Sequence, residues 1–426
     1  MLRMLMVRLY LVLGLEGTRV GRFIRRVAGR PGGSGPSAPA LVVQRESQPD
    51  TTDILVAFKI GGGIGDHLLA ARYIRDLISA VGEFRFDIYS SRPEVAAWVF
   101  GHMPQFNRCY DEYFSWHAKQ YYRLYPLAMW VSQFVVLQYE TIDWLKLNTE
   151  KSKLVRVCET IDRFRHSRDM NEIVSAHPRL DNLLGLKAVF LNLSRSDFSH
   201  AMSGITYGGD RMGIDVDAAC LDKFGLAGRP YVTIHNGFDA EFQTAYGFAN
   251  RSTKVYAQFD DVVAVLRRRR PDLVIVQLGS KTSRAVAGVD VQLVNKTSLA
   301  DTAALLAGST LHIDNESGLV HLAACVGTRS CVVFGPTPVG YFGYSQNVNI
   351  APKECGGCWW VTKDWMTNCP RGFSDPICLS MTPPESVADG VLSALDEMDI
   401  AKAVSVFELP TLAPQDVTLV PNLTQG

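Results

Sequence analysis

Three clusters in this 426-residue chain have the residue types and spacing to do chemistry. The first is Gly61-Gly62-Gly63-Ile64-Gly65-Asp66-His67. Glycines let a backbone turn tightly and approach a ligand, and a helix opening behind them offers free amides and a favourable dipole to an anion. Asp66 falls at the start of that helix, where an aspartate can act as a general base or simply as a favoured first-turn residue. The second is Asp314-Asn315-Glu316-Ser317-Gly318-Leu319-Val320-His321. Glu316 is placed to accept hydrogen bonds from sugar hydroxyls, the amides around Ser317 and Gly318 could hold a diphosphate, and His321 could donate to a phosphate or sugar oxygen. An acidic cap with a core histidine would read the same way. Gly335-Pro336-Thr337-Pro338 adds a rigid turn with a hydroxyl one strand further on.

The third cluster is Cys355, Cys358, Cys369 and Cys378. A CxxC pair with two further cysteines in a loop-rich stretch has the donor set of tetrahedral zinc or iron. No histidine adjoins them and only Cys355 has an acidic neighbour, Glu354, so such a metal would be structural. Two disulfides or four free thiols are the competing readings. Cys109, Cys158, Cys220, Cys325 and Cys331 are scattered, four of them in apolar or helical surroundings that suit buried small hydrophobes.

The elements that must position these clusters alternate. Ile54 to Ile60 is a nearly continuous apolar run, as a buried parallel strand requires, and it feeds the glycine loop and then a helical pattern with Ala70, Ile74, Leu77 and Ile78 on one face. Phe84 to Ser90 reads as the next strand, completing a β–loop–α–β unit. Organisation restarts near residue 226. Strands at Tyr231 to Ile234, Leu273 to Leu278, Val291 to Val294, Leu311 to Asp314 and Ser330 to Phe334 are separated by helices at Val255 to Arg270, Ser298 to Ala307 and Gly318 to Val326. Strict alternation implies βαβ units with parallel sheets, so the fold class is α/β. Thr382-Pro383-Pro384-Glu385 has the form of a capping box opening a last helix that buries Val387, Val391, Leu392 and Leu395.

Between these halves the reading is coarser. Residues 103–154 are rich in aromatics, among them Tyr113, Trp116, Tyr121, Tyr122, Trp130 and Trp144, better read as core than as a stacking surface for sugar rings. Arg163, Arg165, His166 and Arg168 suit a solvated helix face at least as well as an anionic acceptor. Residues 1–50 combine a broken apolar stretch, several arginines and a Gly-Ser-Pro-Ala linker. A basic amphipathic segment on an anionic membrane face fits them better than a secretory signal, and a disordered extension fits as well. Residues 400–426 show no periodicity and read as a loose tail. Lys+Arg and Asp+Glu are both 43, so the overall field gives no reason to expect nucleic acid as a partner. Nothing approaches the roughly 20 apolar residues of a membrane span, and the lack of both GxGxxG and an acid ending the second strand argues against a dinucleotide oxidoreductase.

The segments GIGDHLLAARYIRDL, NKTSLADTAALLAGSTLHIDNESG and SGLVHLAACVGTRSCVVFGPTPVGYFG resemble glycosyltransferase family 9, the bacterial ADP-heptose:lipopolysaccharide heptosyltransferases. The resemblance spans most of residues 54–395 but leaves 100–225 unmatched. It implies a GT-B architecture of two facing Rossmann-like domains with a cleft between them. Residues 51–225 would form the acceptor side and 226–399 the nucleotide-sugar side, with a Cys-rich insert at 355–378. It implies a glycosyltransferase that moves a heptose with inversion and without a catalytic divalent metal, from an ADP-heptose-like nucleotide sugar to a glycan or protein acceptor. The family's base falls on Asp66, beside Gly65. Its donor-phosphate lysine falls on Lys254, its acidic donor ligand on Glu316, and its Thr, Gly and His on Ser317, Gly318 and His321, with Thr337 in the following turn. Two departures stand out: Glu-Ser-Gly replaces the usual Asp-Thr-Gly, and no pair of adjacent threonines precedes Lys254. A cysteine insert of this kind is similar to that of the iron-binding autotransporter heptosyltransferases, which makes a protein O-heptosyltransferase the second reading. A nucleotide-sugar epimerase and a non-catalytic scaffold are more distant ones. The expected setting is cytoplasmic, at the inner face of a bacterial inner membrane, with self-association left open.

Overall fold

The computed structural model describes residues 43–44, 54–111, 125–138, 142–238, 252–281 and 283–407. The N-terminal extension at 1–42 and 45–50, the aromatics Tyr113, Trp116, Tyr121 and Tyr122, and the chain beyond 407 lie outside the described residues.

The chain builds two six-stranded sheets. The first contains β1 (Val43–Gln44), β2 (Leu55–Ile60), β3 (Arg85–Ser90), β4 (Phe106–Asp111), β5 (Leu127–Val131) and β6 (Val135–Leu137), in the order β1-β4-β3-β2-β5-β6. Its four central strands are parallel, and β1 and β6 pair antiparallel at the edges. The second contains β7 (Tyr231–Ile234), β8 (Val274–Gln277), β9 (Val291–Gln292), β10 (Leu311–Asn315), β11 (Ser330–Val333) and β12 (Val348–Ile350), all parallel, in the order β12-β11-β10-β7-β8-β9. This is the GT-B type of α/β fold. In each sheet the chain winds outward in one direction and then crosses back. The direction reverses between β2 and β5 in one sheet and between β7 and β10 in the other, and such switch points are where doubly wound sheets bind ligands.

The buried sequence runs explain the strands. Val56, Ala57, Phe58 and Ile60 are fully buried in β2, and every residue of β7, β10 and β11 is buried. Parallel strands covered by helices on both faces require this. One apolar core cluster runs through the first half and into the second, including Val320, Leu322 and Ala323 of the helix Gly318–Val326; another lies within the second half. The two halves are therefore packed together through their helices, above all Ile64–Val81 against Gly318–Val326.

Among its described residues, the stretch 100–225 that the sequence left unmatched holds the helices Trp144–Glu150, Ser152–Arg165, Arg168–Ala176, Asp181–Phe190, Arg195–Ser203 and the short Cys220–Lys223. Of the aromatics described there, Trp130 is half-buried against Phe134 and His177, whereas Trp144 is exposed, so core packing accounts for the first and not the second. Arg163 and His166 lie on a solvated face, His166 pairing with Asp162 at 3.1 Å. Residues 400–426 were expected to be a loose tail, but the last helix, Pro384–Phe407, continues past Ile400. Its alanines favour helix, and after Gly390 no glycine or proline interrupts the run until Pro410. Among the described residues no helix is long and apolar enough to cross a membrane.

Candidate active site

The glycine loop leaves β2 at the switch point of the first sheet. Gly62 has φ +95°, a left-handed conformation that glycine adopts without strain, and a Cβ there would strike the Asp66 carboxylate. The loop is thus folded over the acid. Asp66 sits in the first turn of the helix Ile64–Val81, and its Oδ2 accepts from the Gly63 amide at 2.8 Å. Its other oxygen, Oδ1, accepts from Arg195, the first residue of the helix Arg195–Ser203. Arg195 is held from three sides: its Nε donates to Gln133 Oε1 at 2.9 Å, its face lies 5.2 Å from the Phe342 ring centre, and its Nη2 meets Asp66. Burial disfavours charge on this guanidinium, but Asp66, Tyr341 and Glu316 together outweigh it and raise the Arg195 pKa.

The second switch point supplies the facing wall. Glu316 follows β10 directly and is nearly buried, and its Oε2 pairs with Lys254 Nζ at 2.5 Å. His321 lies one turn into the next helix, with Nε2 4.0 Å from Glu316 Oε1 and Nδ1 2.6 Å from the Tyr344 hydroxyl. Burial first, and then the charges of Arg195, Arg72 and Lys254, push the His321 pKa well below its ordinary range, so the ring is neutral. The two walls touch. A Cβ on Gly65 would lie 2.5 Å from His321 Cδ2, and one on Gly318 would lie 2.5 Å from Ile64 Cγ2. Only glycine at both positions lets the loop carrying Asp66 lie against the start of the helix carrying His321.

Ser317 is spent on structure. It caps the helix Gly318–Val326 by accepting from the Leu319 amide at 3.1 Å, and its hydroxyl donates to Asp314 Oδ2 at 2.5 Å. The free amides of that helix start, rather than the Ser317 hydroxyl, are what an anion would meet. Thr337 is nearly buried, and its Oγ1 has no hydrogen-bond partner among the described residues, which suits a hydroxyl waiting for a ligand.

Behind this edge lies a polar network that the sequence did not reveal. Asp314 is fully buried and takes His235 Nδ1 at 2.8 Å on one oxygen and His312 Nε2 at 3.1 Å on the other. Burial alone would raise its carboxyl pKa, but His235 and His312 hold it below the usual range. His235 Nε2 accepts from the Gly237 amide at 3.2 Å, so its proton is on Nδ1 and is donated to Asp314. The Asp314 carboxylate thereby ties the loop after β7 to the loop after β10. Its location at a strand end was the one available signal for His235. Arg195 had none, since its segment matched no pattern.

The four clustered cysteines are free thiols. Burial, then the neighbouring thiols of the cluster, pushes Cys378 up to about 12 and Cys358 up to about 11. Cys355 accepts from Arg371 at 3.6 Å. Among the described residues, however, no three His, Cys, Asp or Glu side chains are gathered as a metal ion requires. The donor set has the chemistry of a structural thiolate site but, among the described residues, not its closed spacing. Cys109, Cys158, Cys325 and Cys331 are buried as expected.

Residues 233–357 match glycosyltransferase family 9 (heptosyltransferase). A search of curated protein sequences returns no significant match. Solved structures are more informative about the fold. The chain is similar to a family 9 glycosyltransferase from Veillonella parvula, at 12% identity and TM-score 0.50, over 81% of this chain and 98% of that one. It is also similar to the iron-containing dodecameric glycosyltransferase TibC of enterotoxigenic Escherichia coli, at 12% identity and TM-score 0.50, over 81% of this chain and 77% of that one. TibC in complex with ADP-D-β-D-heptose gives 12% identity and TM-score 0.51, over 82% and 77%.

Proposed function

We propose, from the premise that this chain carries a glycosyltransferase family 9 domain and is a glycosyltransferase, that it moves a heptose from an ADP-linked donor to a glycan hydroxyl, such as one of the lipopolysaccharide core, with inversion at the anomeric carbon. The observation that supports this best is the contact of Gly65 with His321, which brings the acid-bearing loop of one half against the candidate donor edge of the other.

In this reading the donor diphosphate lies on the amides that open the helix Gly318–Val326, with Lys254 beside it and Thr337 donating its hydroxyl. Glu316 accepts from sugar hydroxyls. The acceptor oxygen attacks the anomeric carbon while its proton passes to Asp66. The bond from that carbon to the diphosphate oxygen breaks, and ADP leaves with the electron pair. Lys254, the neutral His321 and the helix amides stabilise the charge that develops on the departing diphosphate. Arg195 orients the Asp66 carboxylate and must yield one oxygen to the acceptor. A single face of attack gives the inverted product. The setting this calls for is the inner face of a bacterial inner membrane.

A structural iron or zinc on Cys355, Cys358, Cys369 and Cys378 would hold the insert together and take no part in transfer. Metal analysis of purified protein alongside a Cys355→Ser/Cys358→Ser variant tests it; four titratable thiols with neither metal present would remove it.

The donor assignment is tested by titrating a panel of ADP-, UDP-, GDP- and dTDP-sugars into the wild type and His321→Ala. Saturable binding of an ADP-sugar, weakened by the substitution, is expected. Binding of no member, or equal binding by both proteins, would overturn the assignment.

A further inference from the structure

Arg72 is the largest fully buried side chain of the described residues and has no part in the chemistry above. It projects from the helix Ile64–Val81 of the first half and spends its donors on the second. Nη1 donates to the Tyr344 hydroxyl at 2.7 Å, while Nη2 donates to the His321 carbonyl at 3.2 Å and to Cys325 Sγ at 3.2 Å. Asp210, 3.4 Å from Nη1, is its only carboxylate partner among the described residues. A guanidinium with this fork of contacts is a geometric device, and a lysine could not reproduce it.

Arginine has no acceptor, so the Tyr344 oxygen must accept from Arg72. The phenol has one proton of its own, and its other close partner is His321 Nδ1, 2.6 Å away. A phenol oxygen can accept twice, but if Nδ1 also donated to it the buried Tyr344 proton would have no acceptor among the described residues. The arrangement that satisfies every group has Nδ1 accepting, which leaves the proton of the neutral imidazole on Nε2. Nε2 is the atom 4.0 Å from Glu316 and packed against Gly65, at the seam between the two halves.

We infer that Arg72 and Tyr344 are positioning residues that fix His321 as its Nε2–H tautomer, so that the ring presents a hydrogen-bond donor to an anionic or hydroxylated oxygen of the nucleotide sugar. This rests on the donor site proposed above. The chain of bonds crosses between the halves, so the tautomer is set only when they are packed as they are here. With Tyr344 intact, His321 can donate to the ligand but cannot accept from it through Nε2.

The test separates the tautomer from the activity. Long-range nitrogen–proton correlation spectra of histidine-labelled protein report which ring nitrogen carries the proton, with no ligand present. The wild type is expected to show His321 protonated on Nε2 between about pH 6.5 and 8. Tyr344→Phe keeps the ring and its packing and is expected to give mixed tautomers, with a roughly fivefold to tenfold higher KM for the nucleotide sugar, the value of one hydrogen bond, and a smaller change in kcat. Arg72→Lys, with the fork lost, should shift the tautomer in the same direction. Protonation on Nδ1 in the wild type, or an Nε2–H tautomer that persists in Tyr344→Phe, would overturn the inference. A wild type that shows Nε2–H yet binds no nucleotide sugar would refute the donor site and leave the tautomer assignment standing.

Discussion

Arg195 donates to Asp66 across the cleft side of the first half, from a helix 129 residues further along the chain. The acid proposed as the base is thus already partnered, by a cation that is itself held by Gln133 and Phe342. Removing Arg195 should leave a carboxylate with, among the described residues, only the Gly63 amide to orient it. Arg195→Ala is expected to lower kcat/KM by roughly 10- to 100-fold, the loss of about 1.4–3 kcal/mol from a charge-assisted contact. Arg195→Lys should recover little, because one ammonium cannot satisfy Asp66 and Gln133 and also stack on Phe342. Wild-type activity in either variant would mean that the pair is incidental.

Lys254 and Glu316 form the second pair, on the donor side. Glu316 is nearly buried and Lys254 is partly open, so removal of Lys254 would strand a buried carboxylate. Lys254→Ala and Glu316→Gln are each expected to raise the KM for the nucleotide sugar about 10- to 100-fold. The double variant should cost clearly less than the product of the two, since both changes break one interaction. A double-mutant cycle of donor KM checks this, and strict additivity would show that the two residues act on the ligand independently.

Stability should fall in mild acid for a reason that can be assigned to two histidines. His321 and His67 are buried, and burial pushes both pKa values down; His67 places its ring nitrogens 2.8 Å from the Gly63 carbonyl and 2.8 Å from the Ser90 hydroxyl. Below about pH 6.5 the unfolded chain protonates both while the folded chain does not. The unfolded state then binds more protons, so stability is fully present above that pH and is lost as pH falls, by at most about 1.4 kcal/mol per unit for each ring. Asp76 does not blur this window. Burial opposes its ionisation, but hydrogen bonds from His200, Arg75 and the Gly208 amide bring it to about 2, so its contribution is lost only at stronger acidity. Calorimetric Tm values from about pH 7.5 to 5 should decline, and His67→Gln should flatten the decline; an unchanged slope in the variant would contradict the assignment.

Much of this was legible before any coordinates. Buried runs such as Ile54 to Ile60 and Leu311 to Asp314 can only be central parallel strands, and the helix Gly318–Val326 is bounded by a capping serine and a C-terminal glycine that the sequence displays. Glycine clusters and acids at strand ends marked the walls of the cleft for the same reason. Partnerships formed at long range were not legible. Nothing local distinguishes Arg195 or Arg72 from any helical arginine, and their roles arise only when the two halves pack. Ser317 was placed in the donor site, with its amide against a diphosphate, but that its hydroxyl would donate to Asp314 was not legible, because that contact depends on how the turn closes. The cysteine spacing announced a donor set without saying whether the insert gathers it.

The central claim is that Asp66 removes the acceptor proton while the donor is held on the opposite wall. Asp66→Asn keeps the shape of the side chain and its place on the Gly63 amide but cannot act as a base. Donor affinity by calorimetry and transfer rate on the same preparation should separate: nucleotide-sugar binding within about threefold of wild type, and transfer slower by roughly 10²- to 10⁴-fold. Transfer close to the wild-type rate with the donor bound normally would show that the base lies elsewhere.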